Sequence, residues 1–293
     1  MRCVFEWCSG FASQTASRYD PHPIKQAGGT RCADMNLQKG LETMANVTAI
    51  ADFDGEERAV RKELAALYRL FMHYGWTDLI DTHLSARLPG KEGEYLINSY
   101  GEMFDEITAS SLLHMNFDGE VVTGDAEPNM AGHLIHTAVL KARPEINYVL
   151  HSHTRAGCAV SAMKDGLLAL SQHGNAVLNT IAYHDYQVVT RAEDECALLA
   201  RDLGPNYLMI MRNHGLLACG RTAAEAFYYH YFLEMACKIQ VDVLSTGVET
   251  VVPEQSAIDD LAAYGAPGGE PKGDRYWNAL VRMLERTQPD YKN

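Results

Sequence analysis

The residues of this chain best suited to chemistry are three histidines in two short motifs. His151 and His153 follow the apolar run 148–150, and His214 lies in the turn 212–215. Alternate side chains of an extended strand face the same side, so His151 and His153 project together, with Cα atoms roughly 6 to 7 Å apart. Three neutral imidazoles that leave one position open are typical of a catalytic metal site. Spacing alone also allows a chance pair among twelve histidines, with His214 a simple turn residue.

Short strands alternating with amphipathic helices are the elements expected to position these histidines. Apolar runs between turn residues predict strands in the segments EYLIN, GEVVT, NYVLH, TIAYHDYQVV, NYLMIM and GLLACG. Helical periodicity predicts helices near 108–115, 130–142, 192–203 and 222–245. His151 then belongs to one strand, and His214 follows the end of another, where loops often present functional side chains.

The starts of three predicted helices carry the spacing of a capping box. The pairs are Asp54 with Glu57, Thr190 with Glu193 and Thr222 with Glu225. The first of these helices should end at Gly75, in the usual position of a C-terminal glycine cap.

The chain divides into three parts by composition. Residues 1–50 show no apolar period and are expected to be a mobile, disordered extension without chemistry. Residues 54–250 form the main domain. Residues 251–293 are expected to be a Pro- and Gly-rich linker followed by a helix that docks on the main domain through Trp277, Leu280 and Leu284.

The composition fits a small-molecule enzyme better than a nucleic-acid-binding protein or a membrane protein. A chain of 293 residues with 47% hydrophobic content can bury one large core or two modest ones. A formal net charge of −13 disfavours nucleic acid and anionic membranes as partners. Seven cysteines without a Cys-x-x-Cys pair disfavour a thiolate zinc site and fit a reducing cytoplasm. No apolar stretch is long enough to span a bilayer, and the opening residues make a poor secretory signal.

Three stretches of the chain resemble the class II aldolase and adducin head-domain family, over roughly residues 58–250. They are ARPEINYVLHSHTRAGCAVSAMKDGLLALSQ, IAYHDY and LGPNYLMIMRNHGLLACGRTAAEAFYYHYFLEMACKIQV. Pattern alone would allow a doubly wound parallel sheet, because strand direction cannot be inferred from local periodicity. The resemblance implies instead a three-layer α/β/α fold with a central, mainly antiparallel sheet. It also implies a homotetramer with its sites at subunit boundaries.

The same resemblance implies one divalent metal ion per subunit, held by His151, His153 and His214. In class II aldolases such an ion acts as a Lewis acid that stabilises an enediolate, and related decarboxylases use the same electron sink. Zinc is the first expectation, with manganese or iron as alternatives, because imidazole ligands discriminate weakly among these metals.

The chain departs from the aldolase pattern at one position that matters for chemistry. Aldolases carry an acid/base glutamate four residues before a helical histidine, and counting back from His136 gives Gly132. The local sequence EPNMAGHLIH resembles adducin more than the sugar-phosphate aldolases. The loop INSYGEMFDEITASSL also lacks a run of phosphate-binding donors, so a sugar-phosphate substrate is disfavoured.

Several residues are candidates for the missing proton transfer and for substrate binding. The catalytic candidates are Glu127, His184 and His173, and the substrate-binding candidates are Ser85, Arg87 and Gln172. The ordinary alternative for each is a solvated or hydrogen-bonded polar residue of a loop or helix end. His133 and His136 share one helical face that could point at the metal, and His83 stands where the aldolases carry asparagine.

Three functions remain open from the sequence. The first is a metal-dependent carbon–carbon lyase, a decarboxylase or modified aldolase acting on a small hydroxy or keto acid or aldehyde. The second is a non-catalytic, adducin-like oligomeric scaffold, which the absence of a glutamate at position 132 favours. The third is a non-heme iron oxygenase on the same fold. The intact histidine trio and the lack of a basic, lysine-rich tail favour the lyase.

Overall fold

The computed structural model describes residues 50, 53–124, 126–186, 192–266 and 268–293, all within the unit Val47–Asn293. The predicted extension at 1–50 lies outside these residues except for residue 50, and so does the predicted cap residue Thr190.

An eight-stranded sheet forms the centre of the described structure. Its strands are β1 (His83–Arg87), β2 (Glu94–Ile97), β3 (Leu113–Asn116), β4 (Val121–Thr123), β5 (Tyr148–Ser152), β6 (Ile181–His184), β7 (Leu208–Met211) and β8 (Gly215–Gly220). Their order across the sheet is β4-β3-β2-β1-β5-β8-β7-β6. Every neighbouring pair is antiparallel except β6 with β7. The expected mainly antiparallel sheet is therefore confirmed.

Helices cover both faces of this sheet. They are α1 (Gly55–Tyr74), α2 (Met130–Ala142), α3 (Arg155–Ser161), α4 (Gln172–Asn175), α5 (Ala192–Leu203), α6 (Ala223–Ser245), α7 (Gln255–Gly265) and α8 (Asp274–Thr287). Asp54 caps α1 by accepting from the amides of Glu56 and Glu57, and Gly75 ends it with φ of 67°. The Thr222 side chain accepts from the Glu225 amide at 3.1 Å, as predicted for the start of α6.

In strands β2 and β5 the two faces of the sheet belong to different core clusters, because successive side chains of a strand point to opposite sides. Tyr148 and Leu150 of β5 pack with α1 and α6, whereas Val149 packs with α2. A fully buried aliphatic side chain of this kind stabilises the fold by about 1.5–3 kcal/mol. His151 and His153 continue the row of Val149 and therefore lie on the α2 face of the sheet.

Two segments that form strands differ from the sequence predictions. The prediction of a helix near 108–115 is wrong. The second half of this segment is strand β3, which pairs with β2 on one side and, after a tight turn, with β4 on the other. The turn is held by the Asn116 side chain, whose Oδ1 accepts from the amides of Asp118 and Glu120 at 3.0 Å. Cross-strand pairing and side-chain turn bonds override the weak helical period here. The segment HLSAR is strand β1, which is absent from the strands predicted from the sequence.

The C-terminal part of the chain is more helical than its Pro- and Gly-rich composition indicates. Helix α7 lies within the segment predicted as a linker. Helix α8 packs on the α1 side of the core with Leu284 fully buried and with Trp277 and Leu280 partly buried against the same cluster. Among the described helices, none combines the length and the apolar character needed to cross a membrane.

Candidate metal centre

Strand β5 and the turn between β7 and β8 bring the three predicted histidines together. Their side-chain ligand atoms all lie within 4.8 Å of one another. The Nε2 atom of His153 is 2.9 Å from the Nε2 atoms of both His151 and His214. The turn that delivers His214 contains Asn213 with φ of 55°, a conformation that asparagine adopts more readily than most residues.

Neighbouring groups orient two of these imidazoles. The Nδ1 of His151 donates to the Leu216 carbonyl at 3.0 Å, and the Nδ1 of His153 bonds to the Asp78 carboxylate at 3.2 Å. When Nδ1 carries the proton, Nε2 keeps a lone pair, and such outer partners are typical of metal-binding histidines. Two lone pairs that face each other at 2.9 Å repel unless a cation lies between them. The donor set therefore fits a divalent metal ion.

The surroundings of His151 and His214 favour the neutral form of these two imidazoles. Burial, followed by the imidazoles of His83 and His214, lowers the pKa of His151 well below its ordinary value. Burial and then His153 and His184 lower the pKa of His214 to about 4. Protons therefore do not compete with a metal ion for the ligand atoms of His151 and His214 near neutral pH.

The opposite face of β5 is anchored to α6. The Ser152 hydroxyl is hydrogen-bonded to the His230 imidazole at 2.8 Å. The Thr154 hydroxyl donates to the buried Glu234 carboxylate and accepts from the Gly157 amide at 3.1 Å, which caps α3. Because Ser152 and Thr154 alternate with the two histidines, these bonds fix the strand that presents the imidazoles.

A cavity of about 330 Å³ opens beside the histidines. It is lined by Asp78, Asp81, His83, Tyr100, Asn129, Ala131, Ile135, His153 and His214. This volume suits a small molecule. No lysine or arginine occurs among these described lining residues.

The position of the missing glutamate is occupied by another side chain. Gly132 lies in the first turns of α2 and faces the imidazole of His83. A Cβ atom at position 132 would be 2.9 Å from both Cγ and Cδ2 of His83, closer than real Cβ contacts. The glycine thus makes room for a fourth imidazole beside the trio.

The three predicted substrate-binding residues lie outside the described lining of this cavity. Ser85 is fully buried and hydrogen-bonded to the His136 imidazole. The Arg87 guanidinium donates to the carbonyls of Leu140 at 2.6 Å and Ile146 at 3.2 Å, near the end of α2. Gln172, at the start of α4, lines a different cavity. Their substrate contacts stay predictions.

The three predicted catalytic residues also lie outside the described lining of this cavity. Glu127 is exposed, and its carbonyl accepts from the Tyr100 amide at 2.8 Å. The Nδ1 of His184 is 2.8 Å from the Asp202 carboxylate. His173 packs its ring on Phe232, with centroids 5.3 Å apart. Catalytic roles for these residues stay predictions.

Sequence reasoning missed several residues that the fold brings to the cavity. Asp78 follows the end of α1, far from the histidine motifs in sequence, and only tertiary contact reveals its bond to His153. Asn129 carried a usable signal as the residue before α2, where its side chain accepts from the Gly132 amide at 3.0 Å. The two-residue spacing of His83 and Ser85 is the other usable signal in the sequence, because in a strand this spacing places both side chains on one face.

Comparison with known proteins agrees with this architecture. The family model of the class II aldolase and adducin N-terminal domain matches residues 62–241. The chain is similar to a crystal structure of an aldolase II superfamily protein from Pseudomonas syringae, with 44% identity, a TM-score of 0.78, and coverage of 82% of this chain and 98% of that one. It is also similar to L-fuculose 1-phosphate aldolase from Glaciozyma antarctica PI12, with 26% identity, a TM-score of 0.73, and coverage of 84% and 95%.

Adducins are similar to this chain as well. Alpha-adducin of Mus musculus is 37% identical over 293 residues, which cover 92% of this chain and 39% of that protein. The family model, the solved structures and the arrangement of the three histidines all indicate the same family. The chain belongs to the class II aldolase and adducin N-terminal domain family.

Proposed function

We propose that this protein is a divalent-metal-dependent carbon–carbon lyase that acts on a small hydroxy or keto acid or aldehyde, by decarboxylation or modified aldol cleavage. The observation that carries the proposal is the convergence of three Nε2 atoms beside a small cavity. Membership of a family that contains aldolases supports it.

The residues that would hold the metal are His151, His153 and His214. Zinc is the first choice and manganese or iron the alternatives, because three imidazoles suit all of these ions. When bound, the ion would polarise a substrate carbonyl and stabilise the enediolate formed by bond cleavage. The Asp78 carboxylate and the Leu216 carbonyl would keep two of the ligands in the correct tautomer and orientation.

Proton transfer must use a group other than a side chain at position 132. His184, His173 and Glu127 remain the candidates, with Gln172 for substrate binding. None of them lines the described cavity of the same chain. Action by Gln172 and His173 is compatible with a homotetramer in which each subunit completes a neighbour's site. We propose in addition that the protein forms this homotetramer and is located in the cytosol.

The first experiment compares bound metal in purified wild type, His214→Ala and His73→Ala by mass spectrometry. His73 is an exposed histidine of α1 outside the trio, so its variant controls for histidine loss as such. We expect about one metal ion per subunit in wild type and His73→Ala, and much less in His214→Ala. Near-stoichiometric metal in His214→Ala would show that His214 is not a ligand.

The second experiment screens metal-loaded protein against hydroxy acids, keto acids and aldehydes for release of carbon dioxide or aldehyde. Parallel assays with iron and dissolved oxygen separate a lyase from an oxygenase, since only the oxygenase consumes oxygen. A non-catalytic, adducin-like scaffold is the second candidate function, favoured by Gly132 and by the similarity to alpha-adducin. A silent panel with metal fully bound and oxygen supplied would favour the scaffold.

A further inference from the structure

Strand β1 places a fourth imidazole directly beside the metal-binding trio. His83 is paired with His151 across the β1–β5 ladder, so both side chains lie on the same face of the sheet. Their rings are stacked with centroids 4.9 Å apart. His83 also lines the same cavity as His153 and His214.

A chain of two hydrogen bonds orients the His83 ring. Its Nδ1 is 2.7 Å from the Nε2 of His136, and the Nδ1 of His136 is hydrogen-bonded to the Ser85 hydroxyl. Both His136 and Ser85 are fully buried. No described residue other than His136 is hydrogen-bonded to the Ser85 hydroxyl, and none is hydrogen-bonded to the His83 Nε2.

The burial of Ser85 determines which group donates in each of these two hydrogen bonds. If Ser85 accepted from His136, its own hydroxyl proton would be buried without an acceptor, which is costly. Ser85 therefore donates to Nδ1 of His136, and His136 donates through Nε2 to Nδ1 of His83. A neutral His83 must then carry its proton on Nε2.

Gly132 completes the arrangement from the side of α2. A Cβ atom there would lie 2.9 Å from Cγ and Cδ2 of His83 and 3.2 Å from its Nδ1. A side chain at position 132 would thus displace the ring from its bond to His136. The glycine is a positioning residue for His83.

We propose that His83 is a substrate-contacting residue, a neutral imidazole whose Nε2–H donates a hydrogen bond to an oxygen of the ligand held at His151, His153 and His214. This inference rests on the proposed function. A neutral donor held in place beforehand strengthens its bond as the acceptor oxygen gains negative charge, which favours the transition state over the ground state. It needs no change in the charge of His83.

Binding of acetohydroxamate to the cobalt(II)-loaded protein tests this role. Acetohydroxamate chelates through two oxygens, and the visible spectrum of cobalt reports its binding without any turnover. His83→Phe keeps a planar ring but removes the donor, whereas His83→Gln keeps an N–H close to the Nε2 position. We expect His83→Phe to raise the dissociation constant about tenfold, the equivalent of ~1.4 kcal/mol. His83→Gln should stay within roughly threefold of wild type, and Ser85→Ala should fall between the two.

The outcomes separate this inference from the proposed function. Failure of the wild type to take up cobalt, or to bind acetohydroxamate once loaded, would overturn the proposed function and with it the role of His83. Normal cobalt uptake with equal hydroxamate binding in wild type and His83→Phe would overturn the role of His83 alone.

The tautomer of His83 is a second measurement that needs neither metal nor a folded His83→Phe variant. Long-range proton–nitrogen NMR spectra of metal-free protein labelled at histidine identify the protonated ring nitrogen. The His83 signal is assigned by its absence from His83→Gln. We expect the proton on Nε2, and a proton on Nδ1 would overturn the inference.

Discussion

Replacing Gly132 by alanine tests whether this glycine exists to make room for His83. The new Cβ atom would lie 2.9 Å from two carbon atoms of the imidazole. The ring cannot turn away freely, because its Nδ1 is bonded to His136 at 2.7 Å. Either the ring loses this bond or α2 shifts away from the sheet.

Two opposing effects set the size of the change. Alanine is more favourable than glycine in a helix interior by about 1 kcal/mol. Overpacking a well-filled site costs about 1–3 kcal/mol. We therefore expect Gly132→Ala to lower the free energy of unfolding by up to about 2 kcal/mol, instead of raising it. In a domain of this size, each 1 kcal/mol shifts the melting temperature by roughly 2–4 °C.

The assay is thermal unfolding of metal-free protein, with two controls. Gly55→Ala, at the first position of α1 where nothing lies within 4 Å of the new Cβ, should not destabilise the protein. In a His83→Ala background, Gly132→Ala should become neutral or stabilising, because the obstructing ring is gone. A rise in melting temperature for Gly132→Ala that is the same with and without His83 would refute the reasoning.

Other predictions concern the N-terminal segment, the substrate and the effect of acid. Deleting residues 2–45 should leave metal content and melting temperature unchanged, because the segment shows no apolar period; a large fall in melting temperature would make it structural. Fuculose 1-phosphate should not be cleaved, because Gly132 supplies no carboxylate, whereas a chelating hydroxy or keto acid should be turned over; robust metal-dependent cleavage of the sugar phosphate would contradict this. Burial lowers the pKa of His214 to about 4 and those of His136 and His230 to about 3. Histidine side chains have a pKa of ~6.5 in the unfolded chain, so below that pH the unfolded chain binds more protons than the folded protein. Stability of metal-free protein should therefore fall as the pH drops from 6.5 towards 4, and a melting temperature constant from pH 7 to 5 would rule this out.

The parts of the fold that follow from local rules were predictable from the sequence. Asp54 and Thr222 lie at helix starts because their side-chain oxygens satisfy free backbone amides within three residues. His151 and His153 share a face because strand geometry has a period of two. These relations involve only neighbours in the chain, so the residue types and their spacing are sufficient to define them.

The rest depends on contacts between distant segments. In β1, His83 and Ser85 are polar yet buried, so the strand resembles a solvated loop until His136 of α2 is placed against it. The bond between Asp78 and His153 likewise joins residues 75 positions apart. Local periodicity cannot show that a polar residue is buried against a partner from another element, because an exposed polar face gives the same sequence pattern.

The energetics of these buried imidazoles bear on the choice between enzyme and scaffold. His83, His136 and His151 are almost completely buried, and burying polar rings is unfavourable unless every nitrogen finds a partner. A scaffold could replace them by apolar side chains of similar volume, which are often neutral or stabilising in such positions. The chain instead keeps a glycine in a helix, at a cost of about 1 kcal/mol relative to alanine, to admit one of these rings. Costs of this kind concentrate at functional sites, and here they surround one small cavity beside three converging ligand atoms. These costs support the proposed enzyme over the scaffold, and in that proposal His83, rather than a residue at position 132, faces the ligand.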